Sequence, residues 1–164
     1  MKVFRGNSDL LAIFKQRWNQ LIEEEPDFKF LDKDIRDLVL QINNDTDFIT
    51  IWSCSGHIEN GDVAPYMAFI AKDDKLAIDF HDRIIDEVIE SENSFLCEIQ
   101  HCIQCCRTML ILPDTSVDEH IYPVWLLKWP ITDELTSQYM VDLIKSAFGK
   151  LKQRTSEPAE DIDG

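Results

Sequence analysis

The spacing of the apolar residues alternates along this chain between two periods, and this alternation constrains the fold more than any other feature of the sequence. Four segments repeat apolar residues every three or four positions, as amphipathic helices do: 8–24, 32–43, 80–90 and 132–149. Four shorter runs are rich in β-branched and aromatic residues and predict strands: 47–52, 66–71, 107–112 and 121–129. The segment 95–106 fits either a strand or a helix.

The order of these segments predicts a single-domain α/β protein of the α+β type, α-α-β-β-α-β-β-α, with helices packed on a mixed, largely antiparallel sheet. The first two strands are expected to pair, and the last two to form a hairpin with a long loop. Asp32 is expected to cap the second helix, and Ile84, Ile85, Val88 and Ile89 to face the core from the third. The predicted domain is 1–152. The remainder, 153–164, is acidic, lacks core-forming residues and is predicted to be disordered.

Charge limits the partners that the chain can have. It carries 31 acidic against 16 basic side chains, a formal net charge of −15. Such a surface repels a phosphate backbone, so nucleic acid is a disfavoured partner and a basic protein is a fitting one. No apolar run is long enough to span a bilayer, and no signal-peptide pattern opens the sequence, so the expected location is the cytoplasm.

The stretch IWSCSGHI at 51–58 interrupts a strand-like run with small residues and a histidine. One interpretation is a nest of backbone N–H groups that binds an anion such as a phosphate. A second is thiol catalysis by Cys54, if its pKa is lowered, and a third is only a tight turn. Lys72 and Asp73 follow the next strand, where ligand sites often lie. Seven residues make up the candidate ligand site: Ser53, Cys54, Ser55, Gly56, His57, Lys72 and Asp73.

Four of the five cysteines lie close together, between positions 97 and 106. Cys102 and Cys105 have the spacing of a zinc knuckle, with Cys97 and His101 as further candidate ligands. No second pair of ligands with knuckle spacing exists, so reduced thiols that pack as small apolar groups are favoured over a zinc site.

Two stretches resemble the wybutosine-synthesising tRNA methyltransferase family. In that family a helix with a Leu-Val-x-x-Ile-Asn pattern leads to a strand that ends in Ser-Cys-Ser-Gly, and here Leu38, Val39, Ile42 and Asn43 precede Ser53–Gly56. The run 124–151 resembles the closing strand and helix of the family. The resemblance implies the family's fold and S-adenosylmethionine as a possible cofactor. His57 stands where the family has arginine.

Three functions follow as hypotheses. The first is a binding protein on this fold that holds a small anionic or nucleotide-like ligand at the turn 53–57. The second is an S-adenosylmethionine-dependent RNA-modifying methyltransferase. The third is an acidic interaction module, such as an inhibitor or DNA mimic, that binds a basic protein partner.

Overall fold

A computed structural model describes the backbone of residues 2–3, 8–56, 63–91, 100–111, 117–130 and 134–156, and the side chains of 8–56, 63–91, 124–130 and 137–154. Within these residues the chain forms a small single α+β domain. The elements, in chain order, are β1 Lys2–Val3, α1 Ser8–Glu24, α2 Arg36–Asn43, β2 Phe48–Cys54, β3 Tyr66–Ala71, α3 Asp74–Glu90, β4 Gln100–Ile111, β5 Val117–Lys128 and α4 Glu134–Ser156.

The sheet is built around β5. Strand β4 pairs with β5 along its whole length, in an antiparallel hairpin. On the opposite edge of β5, β1 pairs in parallel with His120 and Ile121, and β3 pairs antiparallel with the segment 125–128. Strand β2 then pairs antiparallel with β3. The mixed, largely antiparallel sheet, the β2–β3 pair and the β4–β5 hairpin confirm the sequence-based predictions, to which the structure adds β1.

Three element boundaries differ from their predictions, two of them where a local hydrogen bond forms. Helix α2 begins at Arg36 and not at Asp32, whose backbone carbonyl instead accepts a turn hydrogen bond from Ile35 N–H. Helix α3 begins at Asp74, six residues before the prediction, because the Asp73 carboxylate caps Leu76 N–H at 2.8 Å. Helix α4 continues to Ser156, past the predicted domain boundary at 152.

Four phenylalanines join helices α3 and α4 to one face of the sheet. Phe48 and Phe69 lie on the same face, because Phe48 pairs with Ala71, which is two positions from Phe69 along β3. Phe80 of α3 and Phe148 of α4 meet Phe48 edge-on, with ring centroids 5.8 and 5.1 Å away. Buried aromatic contacts of this kind fix the position of the sheet against its helices.

The predicted inward face of α3 is only partly correct. Ile84 is buried and Val88 is half-buried, but Ile85 and Ile89 are 41% and 71% exposed. The core contacts are made by Ala77, Phe80 and Ile84, so the buried side of the helix passes through Ile84 and leaves out Ile85 and Ile89.

Segment 100–106 is part of strand β4, which resolves the helix-or-strand alternative for these positions. The helical alternative is therefore wrong for these positions. Cys97 lies outside the described residues.

The described helices include none with an apolar stretch sufficient to cross a lipid bilayer.

Candidate functional site: a cleft between α1 and β2

A β-bulge in β2 decides which side chains reach the candidate site. Thr50 pairs with Phe69, but Trp52 pairs with Ala68, so Ile51 is an extra residue without a partner of its own. An inserted residue reverses the facing of everything that follows it in the strand. Trp52 and Cys54 consequently share a face with Tyr66, and Trp52 is 45% exposed.

Strand β2 extends through two residues that were predicted to form a turn. Ser53 and Cys54 pair with Met67 and Tyr66 in the sheet, so the chain leaves the strand only at Ser55. The prediction of a four-residue nest at 53–56 is wrong in this respect, because N–H groups of a paired strand do not converge on one point.

Asp32 occupies the place that the sequence suggested for an anionic ligand. Its Oδ2 accepts hydrogen bonds from Ser55 N–H, at 2.9 Å, and from the Ser55 hydroxyl, at 3.3 Å. The next amide, Gly56 N–H, donates to Cys54 Sγ at 3.4 Å. The chain's own carboxylate thus uses the donors of this turn, and its negative charge opposes a second anion at the same point.

Gly56 is required by the backbone of this turn. Its φ is +90°, a conformation that residues with a Cβ rarely adopt. A Cβ at this position would lie 2.8 Å from Pro65 Cγ and 3.2 Å from the Val63 carbonyl oxygen. The glycine therefore allows the chain to leave β2 in close contact with the start of β3.

Two weak acids beside Asp32 are held in their neutral forms. Burial raises the pKa of the Cys54 thiol, and the charge of Asp32 raises it further, against a lowering by Gly56 N–H. Burial also raises the pKa of the Tyr66 hydroxyl, with smaller contributions from Cys54 and Asp32. The hypothesis of a thiolate nucleophile at Cys54 needed a lowered pKa, and the environment of the thiol acts in the opposite direction.

An open cleft of about 480 Å³ lies next to this turn, between α1 and β2. Helix α1 forms one wall with Phe14, Arg17, Trp18 and Leu21. Strands β2 and β3 form the opposite wall, and the α1–α2 connection closes one side. The lining residues of these parts are Phe30, Leu31, Thr50, Ile51, Trp52, Ser53 and Tyr66. Most of the lining is aromatic or aliphatic, with a few polar groups, as is usual for small-molecule sites.

Arg17 is the cationic side chain of the cleft. Its guanidinium lies over the Phe14 ring, 5.8 Å from the ring centroid, which orients its charge along the cleft wall. Three residues with hydroxyl groups, Thr50, Ser53 and Tyr66, lie on the facing strands. The arrangement combines flat apolar surfaces with one guanidinium and a few hydroxyl-bearing residues, which suits a planar ligand that carries a negative group.

The connection between α1 and α2 is held against the cleft by an aromatic cluster. Phe28 stacks on Trp18 with ring centroids 6.3 Å apart, and Phe30 meets Trp18 edge-on at 5.8 Å. Phe28 has a φ of +56°, which is unusual for a bulky side chain and stores backbone strain. The packing of these rings keeps the strained residue in place and fixes Phe30 in the cleft wall.

Lys72 and Asp73 do not join the other predicted site residues. They follow the end of β3 that pairs with Phe48, whereas Ser55 follows the end of β2 that pairs with Tyr66. The six residues of β3 separate the two groups by roughly 20 Å. Lys72 N–H donates to the Asp47 carbonyl at 2.8 Å, and Asp73 caps α3, so the backbone at both positions serves the fold.

The remaining predicted positions are settled only in part. His57 lies outside the described residues. Cys102 and Cys105 pair with Leu126 and Pro123 in an uninterrupted strand, whereas a zinc knuckle places this spacing in a turn. In the described part of the chain, no group of three or more histidine, cysteine, aspartate or glutamate residues has the arrangement of a metal site.

Sequence reasoning missed Arg17, Trp52, Tyr66 and Asp32 as members of the site. Arg17 and Trp52 interrupt the patterns around them: an arginine on the half-buried side of α1, and a tryptophan exposed on a strand. The signal at Arg17 could have been read from the sequence, whereas the exposure of Trp52 depends on the bulge at Ile51. The position of Asp32 beside Ser55 could not have been read from the sequence, because 23 positions separate them along the chain.

Comparisons with known proteins assign no family to this chain. No protein-family model matches the sequence, and no curated protein matches it. A solved structure described as the PH1069 protein from Pyrococcus horikoshii is similar over 87% of this chain and 96% of its own, with 10% identity and a TM-score of 0.38. A likeness at this level carries no inference about function.

Proposed function

We propose that this protein binds a small, flat, anionic molecule of the nucleotide type in the cleft between α1 and β2. The observation that carries the proposal is the composition of the cleft: aromatic walls around about 480 Å³, with one arginine and three hydroxyl-bearing residues. That volume lies within the range of sites for small ligands, about 300–1,000 Å³.

The two kinds of surface have different roles in the proposed complex. Trp52, 45% exposed at the rim, supplies a face on which an aromatic ring stacks. Arg17 supplies the positive charge and the fork of donors that phosphate and carboxylate groups favour. Ser53 and Tyr66 add hydroxyl donors, and the raised pKa of Tyr66 keeps its proton in place at neutral pH. Binding at this cleft retains Ser53 from the sequence-predicted site and replaces its backbone nest with a side-chain site.

The wall opposite Arg17 favours one orientation of the ligand. The negative charge of Asp32 lies beyond Cys54 and Ser55, on the β2 side. An anionic group therefore gains by lying toward α1, and a ring with hydrogen-bond donors gains by lying toward β2. The neutral thiol of Cys54 favours binding over covalent catalysis.

A ligand panel tests the proposal directly. Thermal unfolding is followed with nucleoside mono-, di- and triphosphates, S-adenosylmethionine and inorganic phosphate. A ligand at 100 times its dissociation constant adds about 2.7 kcal/mol to the free energy of unfolding. The expected result is a rise in the melting temperature with at least one nucleotide, together with quenching of tryptophan fluorescence by stacking.

Three variants locate the binding site. Trp52→Phe is expected to remove most of the fluorescence quenching while it keeps a ring for stacking. Arg17→Gln is expected to weaken binding of the anionic ligands, whereas Arg83→Gln, on α3 and away from the cleft, is the charge-matched control. Equal loss in Arg17→Gln and Arg83→Gln, or no stabilisation by any member of the panel, would argue decisively against the cleft as a nucleotide site.

The same ligand panel distinguishes the methyltransferase hypothesis from the proposal of a binding protein. It requires stabilisation by S-adenosylmethionine and transfer of its methyl group to an RNA. Stabilisation by nucleotides alone supports a binding protein.

A further inference from the structure

Helix α3 presents an apolar stripe that the core does not use. Ile78, Ile85 and Ile89 are 48%, 41% and 71% exposed, and each is separated from the next by seven or four residues. On a helix with about 100° per residue, that spacing places the three side chains within about 40° of one another. It is also the spacing of the a and d positions of a coiled coil, with Ile78 and Ile85 at d positions, Ile89 at an a position, and Asp82 at the a position between Ile78 and Ile85.

The surroundings of this α3 stripe are acidic. Helix α3 carries six acidic and two basic side chains, and both basic ones are paired on the same helix: Lys75 with Asp79 at 2.6 Å, and Arg83 with Asp86 at 3.2 Å. Asp74 and Asp82 form no ion pair with any residue that the structure describes. Asp82 lies beside the isoleucines, so a partner that covers the stripe also meets an uncompensated negative charge.

The charge selects among the possible occupants of the stripe. A second copy of the chain would bring the same carboxylates against one another, which is repulsive. Phosphate groups, whether of nucleic acid or of an anionic membrane, are repelled in the same way. A helix with its own apolar seam and with lysine or arginine beside the seam is complementary in both respects.

We propose that the α3 stripe docks a basic amphipathic helix of a partner protein. The three isoleucines pack into the apolar seam of that helix, and Asp82 pairs with a lysine or arginine beside it. The proposal is independent of the cleft, since none of these α3 residues lines it.

The probe is a synthetic amphipathic peptide of about three heptads, with leucine at the a and d positions and lysine at e and g. A second peptide with glutamate in place of lysine has the same apolar seam and the opposite charge. Calorimetry measures affinity on the full chain, and amide chemical shifts locate the contact. The lysine peptide is expected to bind, with shifts concentrated in residues 74–90 and an affinity that falls with added salt.

Matched variants distinguish specific docking on α3 from nonspecific apolar or electrostatic binding elsewhere on the surface. Ile78→Gln/Ile85→Gln is expected to weaken binding by about tenfold or more. The apolar control is Val63→Gln, because Val63 has the same exposure as Ile85 and lies outside α3. Asp82→Asn is expected to weaken binding more than Glu23→Gln, an equal change of charge on α1. All four changes are at exposed positions, and circular dichroism checks that each variant is folded.

Several results would overturn the proposal. Equal binding of the glutamate peptide, shifts located away from α3, or equal losses in the test and control variants would each exclude a specific docking surface. Sedimentation that shows a dimer of the chain, lost in Ile78→Gln/Ile85→Gln, would identify a second copy as the occupant instead.

Discussion

At the scale of single residues, Asp32 determines the chemistry of the turn after β2. Its carboxylate accepts two hydrogen bonds from Ser55 and lies close enough to Cys54 to raise the pKa of the thiol. A pattern of small residues that suggests an anion site is therefore satisfied from within the chain. Cys54 and Tyr66 are paired neighbours on β2 and β3, and both are neutral. The pH at which each loses its proton therefore reports on the environment of Asp32.

The stability of the protein is expected to fall as the pH rises above about 9, partly because of these two groups. The pKa of each is higher in the folded state than in the unfolded chain, where the ordinary values are about 9.0 for Cys54 and 10.0 for Tyr66. Their contribution is complete below the unfolded pKa and is lost as the pH rises through the folded pKa. Urea unfolding between pH 7 and 10.5 measures this loss. Cys54→Ala and Tyr66→Phe are expected to lower stability at pH 7 and to flatten the decline at high pH; curves parallel to wild type would contradict the assignment.

At the scale of elements, the ends of helices and strands were decided by side-chain contacts that cross between elements. Lys15 of α1 donates to the Asn43 and Asp45 carbonyls at the end of α2. Lys152 of α4 pairs with Asp45 at 2.9 Å and with Asp47 at 3.4 Å. The connection between α2 and β2 is thus held from two helices at once. This explains why α4 continues past Gly149, a residue at which a helix end was expected.

Two glycines are expected to respond oppositely to alanine because they lie in different elements. Gly149 is inside α4, and an added Cβ would be 3.8 Å from Gln41 Nε2, an ordinary contact. Gly149→Ala is expected to add about 0.5–1 kcal/mol to the free energy of unfolding. Gly56→Ala combines a φ of +90° with contacts below 3 Å to Pro65, and is expected to cost about 1–3 kcal/mol. Urea unfolding measures the change in the free energy of unfolding for both variants. A Gly56→Ala variant that is more stable than wild type would show that the turn has another conformation.

At the scale of the whole molecule, net charge and local ion pairs act in opposite directions. The excess of acidic groups gives the chain a formal net charge of −15, and the repulsion among these groups destabilises the compact state. Ion pairs on the surface, such as Lys150 with Glu90 at 3.3 Å, are screened by solvent and each contribute little to stability. Since 31 acidic side chains face only 16 basic ones, at least 15 acidic groups have no basic partner of their own, so repulsion is expected to dominate at low salt.

Added sodium chloride is therefore expected to stabilise the protein at neutral pH. Raising the salt from about 0.01 to 0.5 M shortens the screening length from about 30 Å to a few ångströms. A gain on the order of 1 kcal/mol corresponds to a melting temperature higher by about 2–4 °C for a chain of this length. At a pH near the sequence isoelectric point of about 4.5, the effect is expected to disappear. A melting temperature that falls with salt at pH 7 would mean that ion pairs outweigh repulsion.

The sequence alone determined the class of fold, the order of its helices and strands from α1 onward and the two antiparallel pairs, because apolar period is a local property that each segment carries with it. It also determined the strong negative charge. The tertiary structure alone decided which polar groups meet. Asp32 reaches Ser55, Arg17 faces Trp52 and Tyr66 across a cleft, and Lys72 and Asp73 lie at the far end of the strands. The tertiary structure alone also decided the bulge at Ile51 and the exposure of the isoleucines of α3. Strand register and helix rotation depend on packing between distant segments.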